Sequence, residues 1–136
     1  MKKVVVIDAQ GGGLGAAVVK KLCEKYEGRI DILALGTNVV ATSAMKKSGA
    51  KDCATGENAI TFNVKTCDII IGGVGIIAAS GMLGEITPAM ARAIAESSAA
   101  KVLIPISKCS ITIAGTSRLD AKELIDSAIA KVAELI

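Results

Sequence analysis

The stretch that most constrains this chain is an apolar run followed first by glycines and then by a helical pattern. Residues 4–7 are apolar without polar alternation, which is typical of a strand covered on both faces in a parallel sheet. The glycine-rich segment 10–15 permits a sharp turn and a close approach of backbones. Leu14, Val18 and Leu22 then recur at helical spacing. We predict strand, glycine turn and helix, with unpaired N–H groups at the start of the helix available to an anion.

The rest of the chain alternates strand and helix patterns joined by short connections. The further strands are predicted at 30–35, 51–54, 68–71 and 101–106, and the further helices at 40–47, 56–64, 88–97 and 120–136. A last strand at 111–114 follows 101–106 after four residues. Because a parallel crossover needs a dozen or more residues, this pair is predicted to be antiparallel. The pattern predicts one α/β domain over residues 1–136, with a doubly wound, mostly parallel sheet of the Rossmann type and a C-terminal helix.

Two glycine clusters fall at the same edge of the predicted sheet. Segment 11–15 follows the first strand and segment 72–75 follows the fourth. In this fold the two strands are neighbours where the winding reverses, and ligands sit outside their carboxyl ends. Residues 76–86 are apolar, small and punctuated by glycine, which predicts a short helix with a loop, or a lid. The candidate ligand-binding residues are Gln10, Gly11, Gly12, Gly13, Leu14, Gly15, Thr37, Asn38, Gly72, Gly73 and Glu85.

The first glycine cluster fits the relaxed dinucleotide-binding fingerprint in two registers, one starting at Gly11 and one at Gln10, and the sequence leaves both open. The fingerprint expects an acid about twenty residues later, at the end of the second strand, to hold a ribose. Thr37 and Asn38 stand there instead, so NAD(P) or another nucleotide is compatible with the sequence but not specified by it. A P-loop is excluded, because residues 16–17 are alanines where that motif needs Lys and Ser or Thr.

Composition narrows the classes of ligand and partner. The two aromatic residues, Tyr26 and Phe62, fall outside the predicted crevice loops, so we do not expect a flavin, whose ring usually stacks on aromatic side chains. The chain has no histidine and its four cysteines are far apart, so we expect no zinc site. The net charge of +3 comes from interspersed basic and acidic residues, which does not favour nucleic-acid binding.

The distribution of apolar residues allows predictions about where the protein is located in the cell and whether it forms oligomers. Only four apolar residues separate Lys3 from Asp8, and no run has the length of a membrane span, so we expect neither a secretory signal nor a membrane contact. We expect a cytoplasmic protein with reduced thiols, and an ordinary turn at residues 108–109 in preference to a reactive Cys109 beside Lys108. The 51% of hydrophobic residues, with 14 glycines added, exceeds the usual share of about 45–50%, which predicts a homo-oligomer.

The acidic residues near the crevice do not form a catalytic set. Asp8 is interpreted mainly as a cap for the amides of the glycine loop, with Mg²⁺ binding or a ligand hydroxyl as alternatives. Glu57 and Glu85 are interpreted as helix-start or loop hydrogen-bonding residues rather than general bases. Three hypotheses remain open: a module that binds an anionic small molecule, a small cofactor-dependent enzyme, and an oligomeric scaffold with structural glycine turns.

The chain also resembles a known family over nearly its whole length. The residues that carry the resemblance are VIDAQGGGLG, ALGTNVVATSAM, GAKDCATGENAI, MLGEITPAMA and LIPI. They are similar to those of a family of short bacterial proteins, domain of unknown function 3842. The resemblance implies a Rossmann-like cytosolic bacterial domain, and it carries over no catalytic residue because none is assigned in that family.

Overall fold

A computed structural model describes residues 1–106, 110–116 and 118–136. Its strands are β1 (Lys2–Asp8), β2 (Ile30–Gly36), β3 (Asp52–Thr55), β4 (Ile69–Gly73) and β5 (Ala100–Ile104). Its α-helices are α1 (Gly13–Tyr26), α2 (Val39–Lys47), α3 (Glu57–Asn63), α4 (Pro88–Glu96) and α5 (Ala121–Leu135). A short 3-10 helix at Val74–Ile77 follows β4.

In the described part of the chain the five strands form one parallel sheet in the order β3-β2-β1-β4-β5. β1 lies between β2 and β4, which confirms the predicted reversal of winding between the first and fourth strands. The register places Asp8 opposite Gly36, and Gly36 opposite Thr55, so the carboxyl ends of these three strands are level. The loops that leave them are therefore held at one edge of the sheet, and the predicted doubly wound α/β fold of the Rossmann type is confirmed.

The predicted antiparallel pair at the C-terminal end of the sheet is not found. β5 pairs in parallel with β4, and residues 111–114 form no strand. Ile111 and Ile113 are 38% and 40% exposed, so their alternation meets no buried face. β-propensity reflects packing against neighbouring strands, and without such neighbours the alternating pattern does not make a strand. The predicted turn residues Lys108 and Cys109 lie outside the described residues.

Helices cover both faces of the sheet, and β1 shows this directly. Val4 and Val6 are buried in the core beneath α1, α2 and α5, whereas Val5 and Ile7 are buried in the core beneath α3 and α4. All four side chains are at most 1% exposed. Burying such a side chain contributes about 1.5–3 kcal/mol, so the apolar run that opens the sequence also anchors the centre of the sheet.

Side-chain caps fix where the helices begin. The Thr87 hydroxyl accepts the N–H of Met90 at 3.1 Å, with Pro88 at the first helical position of α4. Asp120 accepts the N–H of Glu123 at 2.8 Å in the same way at the start of α5. Both starts were predicted from the sequence, and the first of them ends the segment that connects β4 to α4. None of the helices in the described residues combines the length and the apolarity that crossing a bilayer requires.

Candidate functional site

A cavity of about 230 Å³ lies over the turn between β1 and α1. It is lined by residues 8–14, together with Met82 and Ile106. Five of the predicted ligand-binding residues, those at 10–14, are therefore part of its wall. The cavity lies outside the carboxyl end of the central strand, where open α/β sheets bind their ligands.

The glycines of this turn have different structural roles. Gly12 has a φ of 74°, and a Cβ atom there would lie 2.7 Å from Ala41 Cα, so a side chain at this position is excluded by both backbone and space. A Cβ atom on Gly15 would lie 2.8 Å from Asp8 Cβ, so Gly15 allows α1 to pack tightly on β1. Gln10 adopts a φ of 53°, a conformation that favours glycine. The special backbone at Gln10 and the two glycines required at positions 12 and 15 have the spacing of the register that begins at Gln10.

Gly11 and Gly13 have no such role. Neither has a positive φ, and a Cβ atom at either position would meet nothing within 4 Å. Both residues are exposed and line the cavity. The described fold therefore accommodates a larger residue at either position, and neither glycine has a packing reason for its lack of a side chain.

The amide groups at the start of α1 divide into bonded and unbonded sets. Gly15 N–H donates to Asp8 Oδ2 at 2.6 Å. Within the described residues, the N–H groups of Gly11, Gly13 and Leu14 have no protein acceptor. The positive end of the α1 dipole adds to the field at these donors. Three donors at the mouth of a helix and on the wall of a cavity suit a small anion.

Asp8 supports the glycine turn from below. Its side chain is 7% exposed and accepts the N–H of Ala9 at 2.8 Å as well as that of Gly15. Burial raises the pKa of the Asp8 carboxyl above its usual range; the two N–H donors oppose this shift, and the negative charge of Glu85 adds to it. The geometry is that of the amide cap that the sequence suggested. An anion in the cavity would raise this pKa further.

Glu85 joins three loops at the same edge of the sheet. Its Oε1 atom accepts the N–H of Gln10 at 2.9 Å, the hydroxyl of Thr37 at 2.8 Å and the side-chain amide of Asn38 at 2.7 Å. The N–H of Gln10, with smaller contributions from Thr37 and Asn38, lowers the pKa of Glu85. The acid that the dinucleotide fingerprint expects at the end of β2 is thus present in space as Glu85, which belongs to the loop after β4. These contacts bring Thr37, Asn38 and Glu85 together beside the cavity, not on its wall.

The other residues singled out by the sequence lie elsewhere. A Cβ atom on Gly72 would lie 2.8 Å from the carbonyl oxygen of Ile7, and one on Gly73 would lie 3.0 Å from that of Ile106. Both glycines are buried, do not line the cavity, and have a packing reason for their lack of a side chain. Glu57 accepts the hydroxyl of Thr87 at 2.5 Å, so it is held at the start of α3 by the start of α4.

Four residues of the cavity wall were not among the predicted ligand-binding residues: Asp8, which was interpreted as a cap, Ala9, Met82 and Ile106. Met82 lies in segment 76–86, for which the sequence predicted a short helix with a loop, or a lid, and this was the signal available for it. Ile106 follows Pro105 after the end of β5, and only the order of the strands brings it over α1. Strands that are neighbours in the sheet but far apart in sequence thus supply side chains to the cavity wall, and no local sequence motif predicts such residues.

The two aromatic side chains and the described cysteines, Cys23, Cys53 and Cys67, do not line the cavity. Tyr26 is buried under α5 and donates its hydroxyl to the carbonyl of Ile129 at 2.7 Å, whereas Phe62 is 65% exposed on α3. Burial raises the pKa of the thiols of Cys23, Cys53 and Cys67, which keeps them protonated at neutral pH. Among the described residues no group of three His, Cys, Asp or Glu side chains is arranged to hold a metal ion.

Comparison with known proteins places the chain in a family. A search of the curated proteins finds none that matches it. One similar solved structure is a dodecameric FMN-dependent UbiX-like decarboxylase from Escherichia coli O157:H7, with 13% identity, 98% of this chain and 93% of that chain covered, and a TM-score of 0.47. That likeness carries no functional argument, and the expectation that this chain binds no flavin stays a prediction. The family model described as "Domain of unknown function (DUF3842)" matches residues 3–136. The chain therefore belongs to the DUF3842 family.

Proposed function

We propose that this protein binds a small anionic molecule, with a phosphate or an equivalent group seated over residues 10–15. The observation that carries the proposal is the pair Gly11 and Gly13, two glycines that line the cavity and that the packing of the described residues does not require. The donors at the start of α1 add the chemistry, because backbone N–H groups and the helix dipole stabilise negative charge without a basic side chain.

The size of the cavity limits what it holds in this conformation. Pockets that enclose drug-sized ligands measure about 300–1,000 Å³, whereas this one measures about 230 Å³. A phosphate or sulfate with a short substituent fits that volume. A mononucleotide or NAD(P) would place its phosphate here and extend beyond the present wall, so phosphate-bearing nucleotides belong in the ligand screen beside small anions.

A binding module is favoured over an enzyme by the state of the nearby carboxylates. Asp8, Glu57 and Glu85 each already accept hydrogen bonds from the protein. A general base needs an acceptor directed at the ligand, and the described contacts direct these groups at the backbone or at other loops. We therefore assign the three acidic residues a structural role at the site, and the proposal includes no catalysed reaction.

Calorimetric titration with inorganic phosphate, sulfate, AMP and NAD tests this function. Gly13→Ala adds one methyl group to a residue that lines the cavity and is expected to weaken anion binding about tenfold or more, because it takes up space next to the N–H donors that have no acceptor among the described residues. Lys20→Ala is the control, since it removes an exposed positive charge from the same helix without changing the cavity. Equal binding by wild type and Gly13→Ala, or no binding of any of the four probes, would contradict the proposal.

A further inference from the structure

The segment 78–86 covers one side of the cavity, and its construction differs from that of an ordinary connection. Ile76 before it and Ile86 at its end are both fully buried, so its two ends are fixed in the core. Between them Leu83 is 97% exposed, so the tip stands away from the core. Met82, next to that tip, turns inward and lines the cavity. The tip thus has few buried apolar contacts, which is typical of segments that open locally.

The segment holds an unfavourable backbone conformation. Ser80, Met82 and Leu83 all have φ between 55° and 61°, the left-handed region that non-glycine residues rarely adopt. Gln10, on the opposite side of the cavity, has a φ of 53°. Internal turns support the segment, among them the N–H of Ser80 bonded to the carbonyl of Ile86 at 2.7 Å. Such strained positions persist only where surrounding contacts determine them, and they cluster at sites that bind or switch.

One side chain supplies the polar contacts that fasten this segment to the loops after β1 and β2. Within the described residues, Glu85 is the member of 78–86 whose side chain bonds outside the segment, through the N–H of Gln10, the hydroxyl of Thr37 and the amide of Asn38. Hydrogen bonds to an ionised carboxylate are about twice as strong as neutral ones. The same carboxylate therefore fixes the segment and the strained residue that begins the glycine turn.

We propose that residues 78–86 form a lid over the cavity and that Glu85 is its latch. With the latch made, the cavity keeps its small volume and Gln10 holds the turn in position. With the latch broken, the strained residues relax, Met82 withdraws, and the cavity opens to molecules larger than a phosphate. What enters depends on the proposed function, whereas the movement of the lid is measured without any ligand.

Hydrogen exchange followed by mass spectrometry tests the latch on the full chain. In Glu85→Ala, exchange of the amides in 78–86 and at Gln10 is expected to accelerate about tenfold or more, because three hydrogen bonds to a charged group are lost. Glu85→Gln keeps an acceptor oxygen but not the charge, so its exchange should fall between those of wild type and Glu85→Ala. Thr37→Val removes one of the three donors and should give a small acceleration in the same amides.

The matched control is Glu57→Ala, which removes a carboxylate that bonds to Thr87, just beyond the end of the lid. It should leave exchange at Gln10 and in 78–86 unchanged. Unchanged lid exchange in Glu85→Ala overturns the proposal, and so does an equal acceleration in Glu57→Ala. An acceleration spread evenly through α1 and α4 also overturns it, because Glu85 would then stabilise the whole fold and not a local lid. Phosphate binding by the wild type is measured separately, so its failure would count against the proposed function alone.

Discussion

Neighbouring glycines in the turn after β1 should respond to the same substitution with opposite signs. Gly13 is exposed, has no positive φ and leaves open space for a Cβ atom. Gly13→Ala should therefore stabilise the protein by about 0.4–1 kcal/mol, because alanine has fewer unfolded conformations to lose and a higher helix propensity. Gly11→Ala should act in the same direction, since its backbone and surroundings are equally permissive.

Gly12 should behave in the opposite way. A Cβ atom there would lie 2.7 Å from Ala41 Cα and 2.9 Å from Ala41 O, and these are backbone atoms that cannot rotate away. Its φ of 74° adds about 1–2 kcal/mol for a residue with a side chain. Gly12→Ala should therefore destabilise the protein by roughly 2–4 kcal/mol, the range of a backbone clash with local strain.

Urea denaturation and thermal melting of the three variants measure these differences. For a chain of this size 1 kcal/mol corresponds to about 4 °C, so Gly13→Ala should melt roughly 2–4 °C above wild type and Gly12→Ala roughly 8–16 °C below it. A destabilised Gly13→Ala variant would show that the fold needs this glycine. It would then refute the inference that Gly13 is present for a ligand. A neutral Gly12→Ala variant would refute the assignment of Gly12 to the tight turn.

Three further outcomes are expected. Sulfate binding should be accompanied by proton uptake and should strengthen as the pH falls, because an anion beside Asp8 raises the pKa of its carboxyl, which burial has already raised. Titration calorimetry in two buffers measures the number of protons taken up, and Asp8→Asn should remove most of this uptake. The pKa of Glu85 is lowered, so the stability that its carboxylate contributes is present above the ordinary glutamate pKa and is lost as the pH falls through the lowered value. The difference in unfolding free energy between wild type and Glu85→Gln should therefore shrink as the pH falls below the ordinary glutamate range, and a constant difference would contradict this. Native mass spectrometry should show a homo-oligomer, because the neighbouring side chains of Val39 and Val40 are 68% and 63% exposed at the start of α2; a monomer would contradict it.

Local signals in the sequence were sufficient for most of the fold. The uninterrupted apolar run of β1 and the cap at Thr87 depend on residues a few positions apart, and both were predicted correctly. The prediction of a strand at 111–114 was wrong. It rested on a local alternation of residues, whereas a strand needs a neighbouring strand, which the local sequence does not reveal. Patterns thus predict an element well where its stabilising contacts are themselves local.

In the candidate site, too, local features could be predicted from the sequence and contacts between distant residues could not. The position of the glycine turn followed from the motif, but the roles of Gly12 and Gly13 could be separated only by what surrounds each Cβ atom. Glu85 reaches Gln10 across 75 positions and Thr37 across 48, a juxtaposition set by the order of the strands. The sequence could name these residues as candidates. It could not show that they bond to one another.

The place of β1 in the sheet has a consequence for synthesis of the chain. β1 is synthesised before one of its two neighbours, β4, which begins at Ile69, so this central strand emerges with one edge unpaired. Exposed edges of this kind template association with other chains, and contacts between distant residues form slowly. The N–H of Asp68 closes that edge by bonding to the carbonyl of Lys3 at 3.0 Å. Nascent chains that end before β4 should therefore be the aggregation-prone stage of its production.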